Sequence, residues 1–309
     1  MTVVYYCTDP GFATPTLASI WSLRRFHPDV RVRVLCSDFS GPQEKLYHDQ
    51  LESLSAEMIL VDGQLAELTD KLHITSNHVP KSAWARLNIP RYHNSDEDIL
   101  YLDGDTWIVD VLNELLTLDV HHRFYAAPDG IWFSRNNFLL ASVRRNKIYF
   151  KSLEVDKFYF NSGVFKTNCG TLRRMVQEIF EDGRCYSAFW KYHDQSALNS
   201  YVGDALAPLS IRYNFQTNYQ VFNRFYRSNI LHFTGAIKPW HCSKHIIPGA
   251  EMYFDIFTSF SSELFPSKVI SDNEYDSLYG KPNLISKIRV IIGGMFRLIK
   301  VRCFELTGT

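Results

Sequence analysis

Ile99-Leu100-Tyr101-Leu102-Asp103-Gly104-Asp105-Thr106-Trp107-Ile108-Val109 is an apolar run that drives into two aspartates one residue apart and then resumes as a second apolar run. Runs of this kind read as buried strands. Asp-Gly at the centre breaks the strand and favours a tight turn. Carboxylates are rarely buried without a partner, so Asp103 and Asp105 require one. At i and i+2 on a turn at a strand end, two carboxylates can converge on one hard cation and leave its other positions to phosphate oxygens and water. A polar turn between strands is the plainer account of Asp-X-Asp alone, because so short a motif recurs widely. The rest of the chain decides between them.

Upstream, Val3-Val4-Tyr5-Tyr6-Cys7 reads as a first buried strand, and Thr8-Asp9-Pro10-Gly11-Phe12 as a turn. Thr14-Pro15 has the form of an N-cap followed by proline at the first helical position. Leu17, Ile20, Trp21 and Leu23 follow at helical spacing, ending before Pro28. Val30, Val32 and Val34 alternate with Arg31 and Arg33 as a second strand. Residues 43–54 read as a helix with Leu46, Leu51 and Leu54 inside, and Glu57 to Val61 as a third strand. This βαβαβ rhythm argues for parallel strands with helices on both faces. In such sheets ligands bind at the carboxyl ends of strands, where Asp9 and Asp103 both fall. No Gly-x-Gly-x-x-Gly follows the first strand, which argues against a dinucleotide site.

Lys81 to Tyr92 is expected as a helix that packs Trp84 and Leu87, with Arg86 on the neighbouring face. Phe124 to Ala127 is a further strand ending at Pro128-Asp129-Gly130. Phe158 to Phe165 is a strand interrupted by Asn161-Ser162-Gly163, and Asp194-Gln195 opens a short helix. Ile230 to Gly235 is another strand with a polar end, carrying His232 and followed by Lys238-Pro239-Trp240. Residues 131–157, with Arg135, Arg144, Arg145, Lys147 and Lys151, read as a long basic loop or small subdomain of the functional kind.

The composition is that of a globular chain: 309 residues, 46% hydrophobic and 21% charged, enough for one large α/β domain or two small ones. A net charge of zero argues against nucleic acid as a partner. Six cysteines lie scattered without Cys-x-x-Cys spacing, which points to a reducing compartment and no zinc cluster. Cys7 and Cys36, at the ends of apolar runs, are expected as buried thiols. The N-terminus enters a strand pattern at once, so no signal peptide is read.

Residues 1–270 are read as one α/β domain and 281–309 as a separate helical tail. From Lys281 to Phe304 the charges are Lys281, Lys287, Arg289, Arg297, Lys300 and Arg302, with no acid. Leu284, Ile285, Ile288, Ile291, Ile292, Met295, Phe296, Leu298 and Ile299 lie between them. The longest uncharged run, Val290 to Phe296, is too short to span a bilayer. A basic amphipathic helix on an anionic membrane surface fits better than a helix docked on the core. The expected location is the cytoplasm, peripheral on the inner face of the plasma membrane.

In series, these motifs resemble glycosyltransferase family 8, whose members include glycogenin and bacterial lipopolysaccharide galactosyl- and glucosyltransferases. The resemblance runs from about residue 3 to 240 through Cys7-Thr8-Asp9, Ala85-Arg86-Leu87, Tyr101-Leu102-Asp103-Gly104-Asp105, Tyr159-Phe160-Asn161-Ser162-Gly163-Val164, Asp194-Gln195-x-x-Leu198-Asn199, Tyr213-Asn214-Phe215 and His232-Phe233-x-Gly235-x-x-Lys238-Pro239-Trp240. The basic tail also resembles that of the lipopolysaccharide members.

The resemblance implies a GT-A type α/β fold with a mixed central sheet and helices on both faces. It further implies a UDP-hexose donor (galactose or glucose), Mn²⁺ with Mg²⁺ as the alternative, and transfer with retention of configuration. Asp103, Asp105 and His232 are then the metal ligands, the imidazole nitrogen favouring manganese. Gly104, Gly235 and Lys238 fall at the donor diphosphate. Phe12 stands where the family commonly stacks a tyrosine on uracil, Asp9 where the base is bound, and Gly11 where the family has asparagine. Arg86, Asp129, Asn161, Asp194 and Gln195 map onto the donor-sugar positions, and Arg86 is placed to bridge to Asp103. Gln195 falls on the sugar face opposite the leaving group. An amide is a poor nucleophile, so front-face attack is the favoured route, with Asp194 the carboxylate to consider for a covalent one. The acceptor, an oligosaccharide or lipid-linked surface glycan, is expected to meet residues 131–157.

Two other readings remain. A sugar nucleotidyltransferase would want a Gly-rich phosphate loop after the first strand, and Thr8 to Phe12 is not one. A catalytically inactive UDP-sugar- or glycan-binding module would not need all three metal ligands.

Overall fold

β1 (Thr2–Thr8) is buried at every position and leads through a 3₁₀ turn, Pro10–Phe12, into α1 (Ala13–Arg24). The chain continues through β2 (Arg31–Cys36), α2 (Pro42–Ser53), β3 (Ala56–Leu60) and α3 (Asp62–Lys71). The computed structural model describes residues 1–71, 81–93, 97–130, 158–181, 193–217, 226–235, 238–241 and 252–265, with Ile299 and Cys303. The basic segment 131–157 and the tail expected at 281–309 therefore lie outside the described residues, apart from those last two.

Several expected boundaries move: the strand read at 57–61 is Ala56–Leu60, that at 158–165 is Phe160–Asn168, and that at 230–235 ends at His232. Thr14 is inside α1, not its cap; the helix starts at Ala13, and the preceding turn is capped by Asp9, whose Oδ1 accepts from Phe12 N at 3.1 Å. The expected helix at 81–92 is a 3₁₀ stretch, Lys81–Asn88, followed by α4 (Ile89–Tyr92). Pro90 lacks an N–H, so the ladder of the first cannot run unbroken into the second.

β4 (Asp98–Leu102) pairs parallel with β1. After the Asp-Gly-Asp turn come β5 (Thr106–Ile108), α5 (Asn113–Thr117) and β6 (Phe124–Pro128). β7 (Phe160–Asn168) precedes α6 (Cys169–Glu181), α7 (His193–Tyr201), β8 (Leu206–Pro208), β9 (Phe215–Gln216), β10 (Ile230–His232) and α8 (Tyr253–Phe260). A seven-stranded sheet has the order β3-β2-β1-β4-β7-β6-β8. β3, β2, β1 and β4 run parallel, as the βαβαβ rhythm predicts. β7 runs antiparallel to both β4 and β6, which makes the sheet mixed.

A second sheet, β5-β10-β9, pairs β5 antiparallel and β9 parallel to β10. The Asp103-Gly104-Asp105 turn is the joint at which the chain leaves the larger sheet for the smaller. Stacked aromatics fill the large sheet near it: Tyr101 on Phe165 with centroids 4.9 Å apart, and Phe165 on Phe124 at 4.7 Å. Around the small sheet, Trp107 and Phe233 meet Tyr253 of α8 edge-on at 5.2 and 5.0 Å. Burial of side chains this large dominates core energetics. Cys7 and Cys36 are free and buried, as expected, and so is Cys169. Among the described residues no helix is long and apolar enough to cross a membrane.

Candidate active site

The joint between the sheets is held by backbone bonds on three sides. Asp103 N donates to Gly163 O at 2.7 Å, Thr106 N to Asp103 O at 3.1 Å, and Phe233 N to Asp105 O at 2.9 Å. β4, β7 and β10 thus converge on one point. Close approach is possible there because two glycines omit a side chain. A Cβ at Gly104 would lie 2.3 Å from Thr16 Oγ1, and one at Gly163 would lie 2.2 Å from His232 Cε1.

One ligand atom each from Asp103, Asp105 and His232 lies within 4.8 Å of the others. Each carboxylate divides its oxygens. Asp103 Oδ1 accepts from Arg86 Nη2 at 2.9 Å and Tyr101 OH at 2.8 Å. Asp105 Oδ2 accepts from Lys238 Nζ at 2.5 Å. The remaining oxygens face the imidazole: His232 Nε2 is 3.2 Å from Asp105 Oδ1 and 3.6 Å from Asp103 Oδ2. Two carboxylate oxygens and one imidazole nitrogen, with cationic side chains on the outer oxygens, fit a divalent cation of the borderline kind. Burial alone would raise the Asp105 carboxyl; the charges of Lys238 and His232 and their hydrogen bonds more than offset it and hold it well below the usual range.

Arg86 is almost fully buried and organises the opposite wall. Burial works against its charge, but Asp103 and Asp194 overcome this and keep it protonated. Its Nη1 donates to Ser162 O at 2.9 Å and Ser162 Oγ at 3.0 Å, and its plane lies over Tyr101 at 4.5 Å. Its Nε is 3.2 Å from Asp194 Oδ2 but donates to Ala83 O at 2.8 Å. Asp194 Oδ2 is consequently buried and ion-paired without a hydrogen bond. Burial raises the Asp194 carboxyl to about 6, with Arg86 opposing and Asp103 adding to the rise.

Asn161, Asp129 and Gln195 form one group, the first two buried and Gln195 partly so. Gln195 Nε2 donates to Asp129 Oδ2 at 3.0 Å, and Asn161 Nδ2 reaches the same oxygen at 3.2 Å. Gln195 Oε1 accepts from Ser162 N at 3.1 Å and Asn161 Nδ2 at 3.2 Å. A cleft of about 130 Å³ opens beside the aspartates, lined by Cys7, Phe12, Ser82, Arg86, Tyr101 and Asp103 among others. Phe12 stands edge-on to Trp240, centroids 5.8 Å apart. Asp9 is tied behind Phe12, its second oxygen accepting from Ser82 Oγ at 2.6 Å. Gly235 has φ +92°, a conformation that suits glycine, and is open to solvent.

Of the residues expected from sequence, Phe12, Arg86, Asp103, Gly104 and Asp105 share that cleft. Asp129, Asn161, Asp194, Gln195, His232 and Lys238 join them through hydrogen bonds and ion pairs. Asp9 and Gly235 are not among its lining residues. Sequence reasoning assigned no role to Tyr101, Ser162, Gly163 or Asn214, although all four stand inside the quoted motifs; Ser82 carried no signal at all.

Fold and site together define a glycosyltransferase of the GT-A-like α/β class. The chain belongs to glycosyl transferase family 8, whose profile matches residues 3–244. A putative glycosyltransferase of Haemophilus influenzae is 25% identical over 181 residues, 54% of this chain and 51% of that protein. Glycosyltransferase GlyE of Streptococcus pneumoniae is 23% identical over 259 residues, 77% of this chain and 56% of its own. The chain thus spans about half the length of these curated relatives. Among solved structures, the galactosyltransferase LgtC in complex with donor and acceptor sugar analogs superposes with a TM-score of 0.64 at 22% identity, covering 85% of this chain and 97% of that one. The GlyE structure superposes at 0.53 and 20%, covering 91% and 64%.

Proposed function

We propose that the protein is a retaining, Mn²⁺-dependent hexosyltransferase that moves galactose or glucose from a UDP-sugar to a lipopolysaccharide, capsule or other surface-glycan acceptor. The observation that carries this reading is the pair of inner oxygens, Asp103 Oδ2 and Asp105 Oδ1, facing His232 Nε2 with Arg86 and Lys238 behind them. Asp103, Asp105 and His232 would hold the cation. When bound, it supplies Lewis-acid stabilisation of the charge that develops on the nucleoside diphosphate.

The protein's own groups do the rest. Lys238 adds positive charge near the diphosphate, and Phe12 offers its ring to the base. Asp194 Oδ2, buried with no hydrogen-bond donor, accepts a hydroxyl of the donor hexose, and the Asp129–Gln195–Asn161 group positions the ring. Gln195 Oε1 already accepts two N–H groups; nucleophilic attack by it would break both. That favours front-face transfer. The bond from the anomeric carbon to phosphate breaks as the acceptor oxygen bonds on the same face, and the acceptor proton passes to the departing phosphate oxygen.

The acceptor glycan meets residues 131–157, and residues 281–304 hold the protein on an anionic membrane surface at the cytoplasmic face. Both assignments rest on sequence. Sedimentation of the full chain with anionic but not zwitterionic vesicles is expected.

Following free UDP from a panel of UDP-sugars, with and without Mn²⁺ and with no acceptor, tests the reaction. Slow, metal-dependent release from UDP-galactose or UDP-glucose alone is expected. No release from any of them, together with no Mn²⁺-dependent UDP binding, would replace the enzyme by an inactive sugar-nucleotide-binding module.

A further inference from the structure

We infer that Asn214 is a positioning residue that holds a proton on Nδ1 of His232 and so presents Nε2 as the nitrogen offered to a divalent cation. The inference rests on the metal reading above and adds the residues that prepare one of its ligands. The chain of reasoning starts from a group with no freedom. The backbone N–H of Gly163 can only donate, and it lies 3.1 Å from Asn161 Oδ1. The same Asn161 turns its Nδ2 to the Asp129 carboxylate at 3.2 Å, an acceptor. Both ends of the Asn161 amide are therefore assigned by partners of unambiguous polarity.

Asn214 is fully buried at the C-terminal side of the 3₁₀ turn Ile211–Tyr213. It points its amide at Asn161 Oδ1 with 3.0 Å between Nδ2 and oxygen. The reverse orientation would set two carbonyl oxygens against each other. Its own Oδ1 is thus committed to the far side, 2.8 Å from His232 Nδ1. An oxygen at that distance requires a proton on Nδ1. Nε2, 3.2 Å from Asp105 Oδ1, shares any proton it carries with that carboxylate and is the nitrogen that a divalent cation would take in that proton's place. A neutral imidazole has one N–H and one lone pair, and the hydrogen bond of one nitrogen determines which is which.

The relay runs Gly163 N–H, Asn161, Asn214, His232. Its origin is β7, the reversed strand of the large sheet, and its end is β10 of the small one. Asn161 also serves the Asp129–Gln195 group, so the orientation of the metal-binding imidazole and that of the proposed sugar-binding group depend on one amide.

The test uses the ¹⁵N-histidine-labelled chain without added metal. Long-range ¹H–¹⁵N spectra distinguish the two tautomers, and the His232 signals, among eleven histidines, are those lost in His232→Gln. Nδ1 is expected to carry the proton. In Asn214→Leu, which preserves bulk without an acceptor, the signal should move towards the Nε2–H tautomer. Mn²⁺ affinity, read by electron paramagnetic resonance, should fall on the order of 10- to 100-fold. Asn214→Asp, which still accepts from Nδ1, should retain the Nδ1–H tautomer.

An Nδ1 without a proton in the unmodified chain, or an unchanged Mn²⁺ affinity in folded Asn214→Leu, overturns the inference. The first measurement needs no variant and so survives a variant that fails to fold. An Nδ1–H tautomer in a chain that binds no Mn²⁺ would overturn the metal reading of the preceding section instead.

Discussion

Gly163 and His232 are separated by less than one methyl group: a Cβ on the glycine would sit 2.2 Å from His232 Cε1 and 2.5 Å from Asp103 Oδ2. The strand backbone therefore serves as the floor of the candidate metal site. Gly163→Ala must displace one or both of those side chains. Overpacking of this kind costs about 1–3 kcal/mol. Denaturant unfolding should show that loss, and a Mn²⁺ titration of the folded variant should show binding weakened more than tenfold. Unaltered binding would mean that the imidazole is free to move aside.

Asp105 and Lys238 should behave as a coupled pair. Asp105→Asn removes the carboxylate partner of a largely buried ammonium, which also donates to Phe233 O, and a proposed metal ligand together. Transfer and Mn²⁺ binding should be lost, and stability should fall. Lys238→Met added to Asp105→Asn should recover part of the stability but none of the activity, because an unpaired buried charge costs more than an apolar replacement. A double-mutant cycle on thermal unfolding measures the coupling; simple additivity would show that the contact contributes nothing.

Arg86→Lys should be poorly tolerated. The guanidinium engages Asp103, Asp194, Ser162 and the Ala83 carbonyl at once and lies on Tyr101. An ammonium is a compact charge without the planar fork and cannot occupy those places together. A loss of roughly 1–3 kcal/mol, the range for leaving buried acceptors unsatisfied, is expected in urea unfolding, with activity reduced even at saturating donor.

The Asp194 carboxyl predicts a pH dependence. Folding raises it from the model-compound value of 3.8 to about 6. The folded chain thus binds this proton more tightly than the unfolded chain. The associated stability is fully present below 3.8 and is lost as pH rises through about 6; the linkage is of order 3 kcal/mol. In metal-free protein, Asp194→Asn should flatten the fall in stability between pH 4 and 7 relative to the unmodified chain. Parallel curves for the two proteins would show that the carboxyl titrates normally.

Much of this site is legible because its charged members interrupt or end apolar runs. Asp103, Asp105 and His232 each sit at the end of a strand that is otherwise hydrophobic, a position that demands a partner. Arg86 was readable only as a charge on a helix face, and the motif around it supplied its role. Asn214 was not legible as a functional group: a buried asparagine leaves no periodicity, and its importance lies in the polarity of a neighbour 53 residues away. The reversal of β7 was equally hidden, because strand direction is decided by pairing with β4 and β6 and not by composition. The cap at Asp9 displaced the one expected at Thr14 because the 3₁₀ turn of Pro10–Phe12 already begins the helical path.

The Asp103-Gly104-Asp105 joint has a mechanical consequence. Asp103 follows β4 of the seven-stranded sheet, Asp105 precedes β5 of the three-stranded one, and His232 ends β10. A ligand gripping all three side chains would act as a clasp between the sheets. Whatever binds the folded form alone stabilises it by mass action, and here that gain falls at a seam. Amides of β5, β9 and β10 should exchange more slowly once the clasp is closed, while those of β1 and β4 hardly change. Loading and emptying the site would then tighten and slacken the smaller sheet in each cycle.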